Sequence, residues 1–325
     1  MRTLYPLKFS PILKEKVWGG IELKRLLGKE IEHLPNCGES WELSGIPGSE
    51  STVRNGFLAG NRLTELIEVY MGDLVGDHVF EKHGTSFPLL FKFIDTADDL
   101  SIQVHPDDRM AFEKHQSQGK AELWYVLDAD PGAELILGLQ EDSSPEEFRR
   151  QLENKTLRSL LKSYKVQKGD VFYIPTGQVH AIGRGIRLCE IQPASDITYR
   201  VYDWDRPGID GKPRKLHIEE GLQAIDYAAR DNKVEYQMQL NEPVELIKAP
   251  KFTIRALSFD KELKQDYLFV DSFVVYMCLE GSFVITYQGG YETVKAGETV
   301  LIPAEINNVG LRPDVNSLAL ETYVT

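Results

Sequence analysis

Gly169-Asp170-Val171-Phe172-Tyr173-Ile174-Pro175-Thr176-Gly177-Gln178-Val179-His180 is the stretch that decides the fold. A glycine and an acidic residue open it, four strand-forming residues follow, and Pro-x-Gly-x-x-His closes it. Strand, turn and strand geometry turns this text into a histidine pointing inside a small barrel. The frame recurs as Gly297-Glu298-Thr299-Val300-Leu301-Ile302-Pro303, so two copies of one β-module are the simplest reading. The second copy has Glu305 and Asn308 where the first has Gly177 and His180. Just upstream, alternation along 100–108 puts Ser101, Gln103 and His105 on one strand face and Leu100, Ile102 and Val104 on the other. Along 119–127 it groups Lys120, Glu122 and Trp124. A solvated strand would show similar polar rows, so neither segment alone marks a site.

Further out, short strands separated by turn residues dominate, with helical interruptions and no βαβ alternation, which is an all-β pattern with helical insertions. Residues 40–44 read as strand, and Asn55-Gly56 within 52–58 reads as a hairpin turn. Apolar spacing predicts a helix over 63–82, broken at Gly72 and Gly76, and another over 218–229. Ser144-Pro145-Glu146-Glu147 predicts a capped helix start, with Glu147 completing a capping box and Phe148, Leu152, Leu160 and Leu161 as its buried side. Strands are predicted over 269–270, 273–279, 283–287 and 299–302, and the polar text after Ala229 sets a boundary between modules 1–235 and 236–325.

Composition limits the partners. The chain has 325 residues, 42% of them hydrophobic, enough for sizeable cores. A net charge of -13 opposes nucleic-acid binding, and no run approaches the ~20 apolar residues of a membrane helix. The opening MRTLYPLKFSPILKEKVWGG lacks a signal peptide's apolar core, and three scattered cysteines give no disulfide framework. A soluble, cytoplasmic protein is expected.

The Gly169–His180 pattern resembles the second motif of the cupin superfamily, whose double-stranded β-helix holds a metal on residues from two motifs. That resemblance makes His180 a ligand and implies the set Gln103, His105, Glu122 and His180, a donor set that suits one Zn²⁺ and leaves about one net positive charge. More specifically, Ser101-Ile102-Gln103-Val104-His105-Pro106-Asp107-Asp108, Lys120-Ala121-Glu122, Pro175-x-Gly177-x-x-His180-Ala181 and 190–200 (EIQPASDITYR) resemble type I mannose-6-phosphate isomerase (phosphomannose isomerase) in its short bacterial form. The insertion 107–118 before Glu122, and Gln-x-His in place of His-x-His, separate this pattern from ordinary cupins.

The resemblance implies two cupin modules and interconversion of mannose 6-phosphate and fructose 6-phosphate through an enediol, in carbohydrate metabolism. It assigns a catalytic role to Arg200. A guanidinium is a poor proton shuttle, so Arg200 is expected to stabilise charge or position substrate. Glu190 can shuttle protons or orient a ligand, and Lys120 shares a face with Glu122 and is a candidate base. Ser101, Lys92 and Arg206 are candidates for the phosphate. Trp18 and Trp41 read as barrel-rim packing, and His33, His78, His83, His115 and His217 have no partner spacing. A glucose 6-phosphate isomerase, a non-catalytic sugar-phosphate-binding regulator and a metal oxygenase are the rival readings.

Overall fold

The computed structural model describes residues 3–31 and 33–325. Its first twelve strands are β1 (Leu7–Lys8), β2 (Ile12–Gly20), β3 (Cys37–Ser44), β4 (Leu89–Thr96), β5 (Ile102–Val104), β6 (Glu122–Ala129), β7 (Glu134–Leu139), β8 (Leu161–Lys165), β9 (Val171–Ile174), β10 (His180–Ile182), β11 (Ile186–Pro193) and β12 (Tyr199–Tyr202). They build one sheet in the order β2-β3-β4-β11-β6-β9 and another in the order β12-β5-β10-β7-β8. Nine more follow: β13 (Pro243–Lys248), β14 (Thr253–Phe259), β15 (Leu263–Asp266), β16 (Val274–Glu280), β17 (Ser282–Tyr287), β18 (Gly290–Lys295), β19 (Thr299–Ile302), β20 (Asn308–Pro313) and β21 (Ser317–Tyr323). These give the sheets β1-β19-β16-β21-β14-β13 and β15-β20-β17-β18. The fold is mainly β, two jelly-roll cupins with helical insertions. The chain's first strand joins the sheet of its last module, where Leu7 lies opposite Leu301.

The repeated glycine frame is visible in the backbone. Gly169 and Gly297 both adopt left-handed conformations, φ 88° and 83°, just before β9 and β19. Glycine enters such conformations without the strain a Cβ imposes. Strand registers then equate the two modules residue by residue. Trp124 faces Phe172, and Tyr276 faces Val300, which stands at the same place in its own frame. Glu190 faces Trp124 and Glu321 faces Tyr276; Lys92 faces Glu190 and Arg255 faces Glu321. Lys92, Trp124 and Glu190 therefore correspond to Arg255, Tyr276 and Glu321. By the same registers Val274 stands in place of Glu122, and by its spacing after the proline of the frame Asn308 stands in place of His180.

Several local expectations change in the fold. Asn55-Gly56 forms a turn flanked by isolated bridges, not a hairpin. The Asn55 side chain instead accepts from the Lys8 amide (2.9 Å) and donates to the Pro6 carbonyl (3.0 Å), so the turn residues pin the first strand. The helix over 63–82 divides into α2 (Leu63–Val75) and α3 (Asp77–His83), after α1 (Glu22–Leu27), with Gly76 at φ 93° between them and Met71 already non-helical at φ 46°. The insertion before Glu122 carries α4 (Asp108–His115). Ser144 caps α5 (Pro145–Glu153) by accepting from the Glu147 amide, but the Glu147 carboxylate turns to Gln151 and Arg150 and leaves the capping box incomplete. Leu160 and Leu161 lie beyond that helix, Leu161 in β8. The last helix, α6 (Ile218–Ala224), stops early because the Asp226 amide bonds the Gly177 carbonyl (2.8 Å) instead of continuing the helical ladder. Phe269 and Val270 form a turn, with the Phe269 side chain in solvent.

One buried carboxyl outside the cavity makes the fold pH-sensitive. Asp95 accepts from the Glu22 amide (2.6 Å) at the start of α1, yet burial pushes it from its ordinary value near 3.8 up to about 6. The folded chain then holds this proton more tightly than the unfolded one, so the stabilising contribution is full below pH 3.8 and is lost as pH rises through 6. Asp95→Asn keeps an acceptor and removes the charge. We expect thermal melts to show it more stable than wild type at pH 8 by about 1–3 kcal/mol. The gain should fade toward pH 4.

Candidate metal centre and active-site cavity

Two register rows face each other across the first barrel. On the larger sheet Trp41, Lys92, Glu190 and Trp124 stand side by side on β3, β4, β11 and β6. On the smaller sheet Arg200, Gln103 and His180 do the same on β12, β5 and β10. Alternation points these side chains inward, and Glu122 from the first sheet meets His105 and His180 from the second. The three offer donor atoms all within 4.8 Å of one another, and all three are buried. Glu122 Oε1 lies 3.1 Å from His105 Nε2, and Glu122 Oε2 lies 3.8 Å from His180 Nε2. Gln103 places its amide nitrogen 3.2 Å from His180 Nε2.

The surroundings prepare this cluster for a cation. His105 Nδ1 is 3.0 Å from the Ile197 carbonyl and His180 Nδ1 is 2.9 Å from the Gln178 carbonyl. Donation to those carbonyls fixes the tautomer and leaves both Nε2 lone pairs facing Glu122. Burial pulls His105 down to about 3, Lys120 adding to the effect, and burial likewise lowers His180, so both rings are neutral, as ligands must be. Burial alone would raise the Glu122 carboxyl, but Lys120 and His105 outweigh it and hold it well below the usual range. Its Oε1 sits 2.9 Å from Lys120 Nζ, yet no donor is aligned on it as a hydrogen bond. A buried carboxylate oxygen without an aligned donor, beside two imidazole Nε2 atoms left unprotonated by their Nδ1 bonds, fits a divalent cation.

Next to the cluster, reached through Gln103 and Lys120, lies a cavity of about 290 Å³. Ser101, Gln103, Lys120, Lys92, Glu190 and Arg200 all line it. Lys92 Nζ bonds Glu190 Oε2 (2.6 Å) and Gln192 Oε1 (2.9 Å), and Trp124 Nε1 donates to Glu190 Oε1 (3.0 Å). Burial, then the Glu122 charge, raises the Glu190 carboxyl; for Lys92 the opposing effect of burial is outweighed by Glu190 and Glu39, and its ammonium is held firmly. Arg200 donates to the Ser101 hydroxyl (3.2 Å) and the Lys215 carbonyl (3.1 Å) and forms no ion pair among the described residues. Burial and the nearby Arg214 lower it, a penalty that an anion in the cavity would relieve. Arg206 lies outside the cavity lining and pairs with Asp98 (2.9 Å) and Asp203 (3.2 Å).

Lys16, Glu39, Trp41, Arg214 and His217 also line the cavity, and none of them belongs to a sequence motif. Trp41 and Trp18 are wall, not merely rim. Glu39 accepts from Trp41 Nε1 (2.7 Å) and lies 3.3 Å from Lys16; burial would raise its carboxyl, but Lys92 and Lys16 prevail and hold it at about 2. The signal available was alternation in β2 and β3, which groups Lys16 with Trp18 and Glu39 with Trp41, but only sheet order shows that these strands border Lys92.

The chain matches the mannose-6-phosphate isomerase of Streptococcus mutans with 34% identity over 316 residues, covering 97% of each protein. The chain belongs to the mannose-6-phosphate isomerase family. A sequence model of the phosphomannose isomerase type I catalytic domain matches residues 6–149, which include Gln103, His105, Lys120 and Glu122. The mannose-6-phosphate isomerase ManA of Bacillus subtilis is 40% identical over 226 residues, 69% of each chain. The crystal structure of a mannose 6-phosphate isomerase from Bacillus subtilis superimposes with a TM-score of 0.87 at 30% identity, covering 98% of this chain and 99% of that one. The likeness thus extends over nearly the whole length, the second cupin included. No helix among the described residues is long and apolar enough to cross a membrane.

Proposed function

We propose that this chain interconverts mannose 6-phosphate and fructose 6-phosphate at one divalent metal, zinc, held by Gln103, His105, Glu122 and His180. The observation that carries the reading is the buried two-imidazole, one-carboxylate cluster next to a cavity lined by Lys92, Lys120 and Arg200, in a chain that matches this family over 97% of its length. Residues 1–235 are read as the catalytic module and 236–325 as a cupin without ligands.

Aldose-ketose isomerisation takes a proton from C2, delivers one to C1, and passes through an enediol whose oxygens carry developing negative charge. A bound divalent cation supplies Lewis-acid charge toward those oxygens. Lys120, directed into the cavity beside the cluster, is assigned the proton transfer. Glu190, held between Lys92 and Trp124 on the same inner face, is the second acid-base group and orients its neighbours. Arg200 faces the opposite wall, and its fork of donors neutralises the enediolate or the phosphate. Lys92, Arg206 and Arg214 already serve carboxylates, Arg214 through two bonds to Asp203, so the phosphate is assigned mainly to Ser101 and Arg200.

A coupled assay for fructose 6-phosphate tests this, run on the protein as isolated, after chelation and after Zn²⁺ return. We expect Arg200→Ala to lower kcat/KM by about a hundredfold or more, with Arg200→Lys recovering little of it, because an ammonium cannot reproduce a two-pronged contact. Binding of mannose 6-phosphate without formation of fructose 6-phosphate under any divalent metal would leave a sugar-phosphate-binding protein instead.

A further inference from the structure

We infer that Lys251, a residue of the second cupin, is a positioning residue for the site of the first; the inference rests on the isomerase reading. Lys251 stands on the turn between β13 and β14. That turn is closed by a bond from the Ala249 amide to the Phe252 carbonyl (2.9 Å) and anchored by the fully buried Phe252 ring. From there its ammonium reaches the Asp108 carboxylate, the Gly119 carbonyl (3.2 Å) and the Gln118 side-chain oxygen (3.4 Å).

These contacts sit at both ends of the α4 insertion. Asp108 follows His105 by three residues, and Gly119 immediately precedes Lys120. Asp108 Oδ1 also accepts from the Gly119 amide (2.7 Å), so one carboxylate joins the two ends and Lys251 seals the junction. The fit leaves no slack. A Cβ on Gly119 would lie 2.7 Å from the Asp108 nitrogen and 2.8 Å from the Asp107 carbonyl carbon. The insertion therefore returns the chain to one place, from which Lys120 Nζ meets Glu122 (2.9 Å) and His105 Nε2 (3.4 Å). Without the clamp, the Asp108–Gly119 bond is left to hold the two ends of the insertion together, and Lys120 and His105 lose a common reference. This gives the second cupin, which lacks ligands of its own, a direct part in the geometry of the first.

The test uses the full-length, metal-loaded chain carrying Lys251→Met, Lys251→Arg, Asp108→Asn or Lys251→Met with Asp108→Asn. Amide hydrogen exchange at Gly119 reads the clamp without reference to turnover. We expect Lys251→Met to raise that exchange by about tenfold. It should lower kcat by about fivefold with KM nearly unchanged, since a misplaced group weakens the reacting geometry more than binding. Lys251→Arg should restore both values. Asp108→Asn should reproduce the loss, and the double variant should be no worse than either single one, because neighbours acting as a unit do not add. Wild-type exchange at Gly119 in Lys251→Met overturns the clamp, and so does raised exchange with wild-type kcat. A wild-type chain without turnover sinks the isomerase reading instead; Gly119 exchange and metal affinity across the same variants then decide the clamp, with an affinity loss of about tenfold expected.

Discussion

Glu122→Gln is expected to abolish fructose 6-phosphate formation, by about a thousandfold or more, because it removes the one anionic donor of the cluster. Two further consequences follow from where Glu122 sits. It lies 2.9 Å from Lys120 Nζ and 3.1 Å from His105 Nε2, and Trp124 Nε1 donates to its other oxygen (3.1 Å). Neutralising it leaves the Lys120 ammonium buried among imidazoles. Metal analysis of the purified variant should find well under one divalent ion per chain. Its melting temperature should fall even when compared with chelated wild type, since an uncompensated buried charge costs about 3–5 kcal/mol. A variant that retains a full metal complement would remove Glu122 from the ligand set, whatever its activity.

Glu321→Ala is expected to have the largest effect on stability while sparing the site. Glu321 is fully buried in the second barrel; its Oε2 accepts from Arg255 Nε (2.5 Å) and its Oε1 meets the hydroxyls of Tyr267 and Tyr276. Burial, then the neighbouring acidic groups, drives both phenols far above their ordinary range, so they remain neutral donors to the carboxylate. Truncation leaves the Arg255 guanidinium without its carboxylate and the bonded Tyr267–Tyr276 hydroxyl pair without its acceptor, and we expect Tm to fall by about 10 °C. Arg255→Leu with Glu321→Leu should recover most of that loss, because it removes both charges together. Metal content should stay at the wild-type level in every case. A melting temperature within about 2 °C of wild type in Glu321→Ala would show that the pair contributes little.

How far the sequence could be read depended on the range of the interaction that decides each feature. Alternation is local, and it grouped Ser101 with Gln103 and His105, and Lys120 with Glu122 and Trp124, on faces that do turn inward. The His180 motif is also local, since its left-handed Gly177 and the preceding proline set the turn. Lys16, Glu39, Trp41, Arg214 and His217 were not legible as cavity residues, because their place depends on which strands become neighbours. Arg206 illustrates the converse: its position next to the motifs suggested an anion contact, and it pairs instead with Asp203, three residues before it, and with the distant Asp98. Propensity misled where tertiary bonds intervened. Asn55-Gly56 spent its turn on the first strand, and α6 ended where Gly177 took the next amide.

The matched pairs Lys92–Glu190 and Arg255–Glu321 say something about what a duplicated module can shed. A metal ligand is disposable in a single step. Val274 packs into the core where its counterpart is Glu122, and Asn308 is exposed where its counterpart is His180, and neither leaves a stranded charge. An ion pair sunk in a barrel has no such exit. Removing either half alone spends several of the roughly 5–15 kcal/mol that keep a domain folded, so a one-residue route away from the pair leads through a chain that barely folds. Such a barrel can do without ligands more readily than without its polar seam, and the Arg255–Glu321 pair stands in a module where Val274 and Asn308 occupy the ligand places.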